Sequence, residues 1–565
     1  MLRALRGWIV GKRGTATPAP PAAMPEPMQG ADAAAVFERA VEEMQRGETP
    51  KAEETLRGLI EAWHDFAPAH ALLGHVLRKQ GRLDDAVDSF VLAQCFDPAL
   101  PDAYYGLGSV SLQGERYAEA VEPLRQAAEL APADAKTHNA LGVALLNLER
   151  VEEARSCFMK AVELQPAFAE AHSNLGYVLF RDFAQFEEGA AHIERALEIA
   201  PLNRSALCNW TMVLQYRGRL KEAVQLCDEL LAEDPSLLGA KLNRGLMLLS
   251  MGRFETGWQD YEARKQTRCN YAARGLPLPD WDGTPLNGRG IYVYGEQGIG
   301  DEIMFSSCLP DVLREARSCV VECSPKLQPI FQRTFPNAIV VARGTKDIGA
   351  ISRDAGVECQ ISMGSLPFFL RRFRSSFPRH AGYLQADPLR VEHWRAQLHD
   401  LPGGLKVGIS WRGGMKTTRQ NLRSIPLDEW APVFGVAGVD FVDLQYFACT
   451  DEIQDAGRKH GVMVHRWPEA LDDYDETAAL VGALDLIISV QTAIVHLSGA
   501  MGRPVWALIP VAPEWRYLSE GTSMPWYPSV QLMRQQCADD WHLLMEVVSE
   551  ELRRQVGQAR KVRRP

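Results

Sequence analysis

No two of the eleven cysteines are spaced C-x-x-C, and the nearest pair is Cys319 and Cys323. That scatter excludes a zinc ribbon and a disulfide framework and points to free thiols in a reducing compartment. No apolar run reaches the roughly 20 residues that a membrane-spanning helix needs. Excess positive charge is missing too: a formal net charge of −11 excludes nucleic-acid binding through bulk charge. The exception is residues 551–565, a basic tail with six cations and no acid from Arg553 onward, read as a solvated terminus. The opening MLRALRGWIVGKRG is basic, but its apolar core is too short for a secretory signal. Together these absences predict a cytoplasmic protein.

The composition is otherwise ordinary for a folded chain, with 46% hydrophobic and 24% charged residues. A length of 565 residues is too great for one core, so two or three domains are expected. Residues 1–30 end in a proline- and alanine-rich stretch and are expected to be disordered. Self-similarity then takes over. Gly74, Gly108, Gly142 and Gly176 lie 34 residues apart, each after a leucine. Twelve residues further come Ala86, Ala120 and Ala154, with Gly189 one position later; Ala223, Gly257 and Ala52 extend the series. A second row holds Ala93, Ala127, Ala161 and Ala196, and prolines 98, 132, 166, 201 and 235 close the units. Small residues belong where two antiparallel helices cross closely, with Phe90 and Phe158 filling between them, and proline ends the second helix.

This pattern resembles the tetratricopeptide repeat and predicts an all-α superhelix with a concave groove over residues 31–270. Asn174, Asn209 and Asn243 recur at one position of the ladder. A primary amide can both donate to and accept from an extended peptide backbone, or it can bridge repeats. The ladder resembles the repeat arm of O-GlcNAc transferases, which implies acceptor binding by these three residues.

Beyond residue 261 the helical period fades. Residues 276–290 are turn-rich, a linker. Apolar runs at 291–294, 319–323, 338–341, 406–410, 441–444, 462–465, 486–489, 505–509 and 531–533 then alternate with helical stretches, which predicts parallel sheets with crossover helices. The strands suffice for two doubly wound units, 271–395 and 396–550, the α/β arrangement called GT-B.

Four stretches carry the chemistry. Gly295-Glu296-Gln297-Gly298-Ile299-Gly300-Asp301-Glu302 follows a strand and opens a helix, where backbone can approach an anion. Its spacing is not the G-x-G-x-x-G of dinucleotide folds. Gly408-Ile409-Ser410-Trp411-Arg412-Gly413-Gly414 ends another strand beside Lys416, Arg419 and Arg423, without the Gly-Lys-Ser/Thr of a Walker loop. Ser489-Val490-Gln491-Thr492-Ala493-Ile494-Val495-His496 is a third strand-to-helix loop. Asp472-Asp473-Tyr474-Asp475-Glu476-Thr477 spells D-x-D before a helix, where carboxylates serve a ribose, a cap or a metal.

These stretches, with Pro510-Val511-Ala512-Pro513-Glu514-Trp515-Arg516 and Ser523-Met524-Pro525-Trp526-Tyr527-Pro528, resemble the heptosyltransferase-like glycosyltransferases and their repeat-bearing bacterial relatives, flagellin-modifying enzymes among them. The resemblance covers residues 276–540. It implies metal-independent, inverting transfer of a sugar from a nucleotide-sugar donor to hydroxyls of a protein acceptor, with no cofactor. Flagellin is the first candidate for an acceptor held in the repeat groove. Asp301 matches the general base, with Glu302 as its substitute; a helix cap is the plainer role for Asp301. Gly298, Gly300, Arg412, Lys416, Arg423, Asp475, Thr477, Gln491, Thr492 and His496 match the donor side. Gln491 stands where the family has aspartate and leaves that carboxylate's role without a bearer. A transferase for glycan or lipid-linked acceptors would keep its turnover of small acceptors after loss of residues 1–257. A non-catalytic scaffold would keep only the nucleotide-sugar fold.

Overall fold

The computed structural model describes residues 30–266, 276–414, 420–446, 448–537 and 540–562. By internal packing the chain forms two compact units, 1–164 and 165–565. The first holds eight helices: α1 (Gly30–Gln45), α2 (Thr49–Ala62), α3 (Ala67–Lys79), α4 (Leu83–Phe96), α5 (Pro101–Gln113), α6 (Tyr117–Leu130), α7 (Ala135–Asn147) and α8 (Val151–Leu164). The second opens with six more: α9 (Ala169–Arg181), α10 (Phe186–Ile199), α11 (Arg204–Tyr216), α12 (Leu220–Glu233), α13 (Leu238–Ser250) and α14 (Phe254–Tyr261). They pack as successive pairs, α1 with α2, α3 with α4 and onward to α13 with α14.

The sequence explains these lengths. Helices α4, α6, α8, α10 and α12 are each 14 residues long, and each has a proline two positions beyond its last residue. A proline disfavours the helical conformation at the residue before it. Accordingly Asp97, Ala131, Ala200 and Asp234 are turned out to ψ between 71° and 94°. The small-residue rows are fully buried: Ala86, Ala93, Ala120, Ala127, Ala154 and Ala161 expose nothing. In the unit with the inserted residue, Gly176 and Gly189 cross backbone to backbone, and a Cβ on either would come within 2.8 Å of the other's carbonyl oxygen. Even alanine at either position is too large for that crossing.

The rest of the second unit is α/β. A four-stranded sheet has the order β3-β2-β1-β4, from β1 (Gly290–Tyr294), β2 (Ser318–Cys323), β3 (Ile339–Ala342) and β4 (Val357–Ser362), all parallel. A seven-stranded sheet has the order β10-β11-β9-β8-β5-β6-β7, from β5 (Leu405–Ser410), β6 (Val439–Asp443), β7 (Val464–His465), β8 (Leu486–Val490), β9 (Val505–Ile509), β10 (Ser523–Met524) and β11 (Tyr527–Arg534). Only β10 runs antiparallel. The central strands β8 and β9 are buried along their whole length, as strands covered on both faces must be. Two strands escape the sequence pattern. β10 is only two residues long, and β4 reads VECQIS, too polar for a buried run. Gln360 explains the second case: its Nε2 donates to the Leu276 and Leu278 carbonyls at 3.2 and 2.9 Å, pinning the linker along the sheet edge.

One apolar cluster runs without a break from Leu249, Phe254 and Trp258 through Ile291 and Val293 to Ile487 and Tyr527. The last repeats therefore share a core with both sheets, and the compact units do not divide where the sequence changes character. The ten described cysteines are free thiols. Among the described residues no helix is long and apolar enough to cross a membrane.

Candidate functional site

Two short helices bring the motifs together. One, α15 (Ile299–Ser306), starts on Gly298, whose carbonyl receives the Asp301 and Glu302 amides at 3.0 Å each. The other, Ala493–Ala500, is capped by Thr492, which accepts the Ile494 amide at 3.2 Å and lies 3.0 Å from the Ser489 hydroxyl. They meet at Gly300: a side chain there would come 3.1 Å from His496 Cδ2 and 3.5 Å from Ala493 Cα. The absence of that side chain lets two helix N-termini converge, each with unsatisfied amides and a partial positive charge.

Around this point the polar groups are specific. Asp301 accepts from Arg516 Nε at 2.6 Å, and the guanidinium also pairs with Glu514 at 3.4 Å and lies over the Trp515 ring at 4.7 Å. His496 is buried, with Nδ1 3.1 Å from the Tyr527 hydroxyl and Nε2 3.4 Å from that of Tyr517. Burial, joined by the Arg516 and Arg423 charges, pushes its imidazole down to about 3. His496 is therefore a neutral hydrogen-bonding group throughout the physiological range. Arg423 donates to the Gln491 carbonyl at 3.4 Å. Gln491 itself is only 2% exposed, and both atoms of its side-chain amide lack a hydrogen-bond partner among the described residues. A buried amide costs about 1–3 kcal/mol when unpaired, so this one marks a place built for a polar ligand or water.

Gly298, Gly300, Asp301, Arg423, Gln491, Thr492 and His496 are thus brought to one place. Other candidates are not. Glu302 is 1% exposed and turned inward, accepting the Ser324 amide at 2.6 Å and pairing with Arg343, away from Arg516. Arg412 is tied to Glu452 at 3.0 Å and to the Ala448 carbonyl at 2.8 Å. Asp475 and Thr477 are held by other partners. Thr477 donates to the Ala470 carbonyl at 2.6 Å, and Asp473 caps the helix Tyr474–Ala483. Asp475 receives both terminal nitrogens of Arg333, at 3.0 and 2.8 Å, an ion pair that ties the segment between β2 and β3 to the larger sheet's helices. Lys416 lies outside the described residues. Replacing Arg333 by alanine leaves the buried Asp475 carboxylate with only Arg390, 4.0 Å away, and is expected to cost about 3 kcal/mol in urea unfolding; an unchanged midpoint would refute the pairing.

In the repeats, Asn209 Nδ2 donates to Ser173 Oγ at 3.0 Å, and Asn243 Nδ2 to Thr211 Oγ1 at 3.0 Å. The amides of these two rungs bridge consecutive repeats. Asn174 is half-buried at the equivalent place. Sequence reasoning gave no role to Arg516, Gln297 or Tyr261. Arg516 stood in a quoted motif, but its partner lies 215 residues away.

A tetratricopeptide-repeat family model matches residues 135–168, and a second of the same name matches 37–99 and 93–135. Protein FlbA of Caulobacter vibrioides is 34% identical over 382 residues, 64% of this chain and 63% of FlbA. The chain thus spans less than two thirds of that relative. A match of that length cannot fit within the repeats, so the likeness reaches into the α/β half. Among solved structures, Pseudomonas aeruginosa PilF is 19% identical with a TM-score of 0.34, covering 37% of this chain and 96% of PilF. MamA from Desulfovibrio magneticus RS-1 is 24% identical with a TM-score of 0.27, covering 31% and 99%. YrrB, described as a repeat protein with an unusual peptide-binding site, is 23% identical with a TM-score of 0.28, covering 33% and 96%.

Proposed function

We propose that this chain is a GT-B glycosyltransferase that moves a sugar from a nucleotide-sugar donor to hydroxyls of a protein acceptor held by its repeats. Flagellin is the first acceptor to test, and the reaction belongs on the cytoplasmic side. The observation that carries the reading is the convergence at Gly300. It gathers a carboxylate, Asp301, paired with Arg516, and the N-terminus of the Ala493–Ala500 helix, whose preceding loop Arg423 contacts at the Gln491 carbonyl. An inverting displacement needs those two features and little else. Asp301 takes the acceptor proton as the hydroxyl oxygen attacks the anomeric carbon. The bond to the nucleotide's phosphate breaks, and the oxygen that leaves gains negative charge. Arg423 and the amides at Ala493 stabilise that charge, and neutral His496, held between the Tyr517 and Tyr527 hydroxyls, keeps a second positive charge out of the site. Gln491 adds an uncharged amide where a carboxylate would repel phosphate.

The test is a thermal-shift series of the full chain with UDP-N-acetylglucosamine, GDP-mannose and CMP-N-acetylneuraminate, followed by incubation with flagellin and mass spectrometry. A donor present at a hundred times its Kd stabilises the folded state by about 2.7 kcal/mol, which reads as a rise of several degrees. Arg423→Ala is expected to abolish that rise. No shift with any donor and no added mass on flagellin would reject the reading and leave a repeat scaffold.

A further inference from the structure

We infer that the last repeat helix is a working part of the catalytic centre: Tyr261, acting through Gln297 and Arg516, holds Asp301 in the orientation that exposes one oxygen to the acceptor. This rests on Asp301 being the base of the proposed transfer.

The chain of contacts is short and directional. Tyr261 ends α14 and is 4% exposed. Its hydroxyl receives Gln297 Nε2 at 2.7 Å, which fixes the amide so that Oε1 faces the other way. There it meets Arg516 Nη2 at 3.5 Å. Arg516 Nε and Nη2 both fall on Oδ1 of Asp301. A guanidinium gripping one carboxylate oxygen from its side leaves the second oxygen to take a proton. That second oxygen, Oδ2, faces Gly298, whose missing side chain would lie 3.6 Å away.

A second hold runs in parallel. Arg264, one turn beyond Tyr261 and 1% exposed, lies over the Tyr261 ring at 4.5 Å. It donates to Glu296 at 3.1 and 2.8 Å, and to Ser362 and Ser365 at 3.1 and 2.8 Å. Two successive residues of the base loop, Glu296 and Gln297, are therefore fastened to the turn that closes the repeats. Trp515, beside Arg516, also packs on this helix, with ring centroids 5.5 Å from Trp258 and 5.6 Å from Tyr261. Both loops that carry the Asp301–Arg516 pair thus lean on one repeat helix. A load taken up by the last repeats when a protein acceptor seats has a direct route to the base.

Tyr261→Phe separates this positioning role from mere packing, because it keeps the ring and removes only the hydroxyl. In the full chain, amide hydrogen exchange across residues 297–303 and 514–518 is expected to accelerate about tenfold, with the helices of residues 169–250 unchanged. With CMP-N-acetylneuraminate or UDP-N-acetylglucosamine and flagellin, kcat is expected to fall about tenfold at unchanged KM. Arg516→Lys is expected to retain more turnover than Arg516→Ala. Unaltered exchange in Tyr261→Phe overturns the inference whether or not the chain transfers sugar. Absence of turnover in the unmodified chain counts against the transferase reading, while faster exchange in Tyr261→Phe still supports the coupling.

Discussion

Asp301→Asn is expected to lower sugar transfer about 1,000-fold while leaving the donor-induced thermal shift in place, because a positioned general base supplies about 100- to 10,000-fold. The substitution is nearly isosteric. It keeps an oxygen for Arg516 to grip and removes the charge that accepts the proton. Glu514, 3.4 Å from the same guanidinium, keeps Arg516 from being left without a counter-ion, so the fold should survive. Glu302→Gln makes the paired control. Its carboxylate is buried against Arg343 and the Ser324 amide, so its loss is expected to lower stability by about 2 kcal/mol rather than to remove the chemistry. His496 gives a further constraint. An imidazole held down near 3 cannot produce a limb in the pH–rate profile between 6 and 8. Full activity of Asp301→Asn with inactivity of a folded Glu302→Gln would reverse the two assignments.

How much of this was legible before the fold differs from residue to residue. The repeats were, because an alanine that must pass a neighbouring helix cannot be replaced by anything large, and that restriction recurs at every crossing. The strands β1, β2, β5, β8 and β9 were, because burial on both faces demands mostly apolar runs, charged only at Glu322 in β2 and Lys406 in β5. β4 was not, since Gln360 serves a backbone segment that the sequence read as linker. The site was legible in one dimension only. Each loop announced a helix N-terminus by its glycines and small polar residues, but nothing local said that Gly300 would lie against His496. Charged residues were the least legible. Asp475 sits at a helix start, where a cap or a ligand is a fair reading, and its partner Arg333 is 142 residues away. Arg412 likewise spends its charge on Glu452. A side chain's charge can be read from sequence, but what neutralises it depends on the packing of distant segments.

Trp258→Ala is the stability counterpart and the second large effect. The side chain exposes nothing, and its Nε1 donates to the Arg371 carbonyl at 2.9 Å. It meets Trp515, Trp526 and Phe305 edge-on, with ring centroids at 5.5, 6.1 and 6.5 Å. Truncation to alanine is expected to cost about 3–5 kcal/mol in urea unfolding, a large share of the roughly 5–15 kcal/mol that holds a folded domain. Trp258→Phe, which keeps most of the volume, should cost much less. The same reasoning bears on where the chain can be cut. A fragment beginning at residue 271 loses Phe254, Trp258 and Tyr261 from one core and strands the buried Glu296 without Arg264. It is expected to lose cooperative unfolding altogether, whereas a cut at the 164/165 boundary leaves that core whole. Deleting residues 1–257 therefore does not isolate the acceptor-holding role of the repeats, because it removes Phe254 and Leu249 from beside Trp258. Substitutions on the exposed faces of α9 to α12 address that role without touching the core, and cooperative unfolding of the 271–565 fragment at the full-length midpoint would show the shared core to be dispensable.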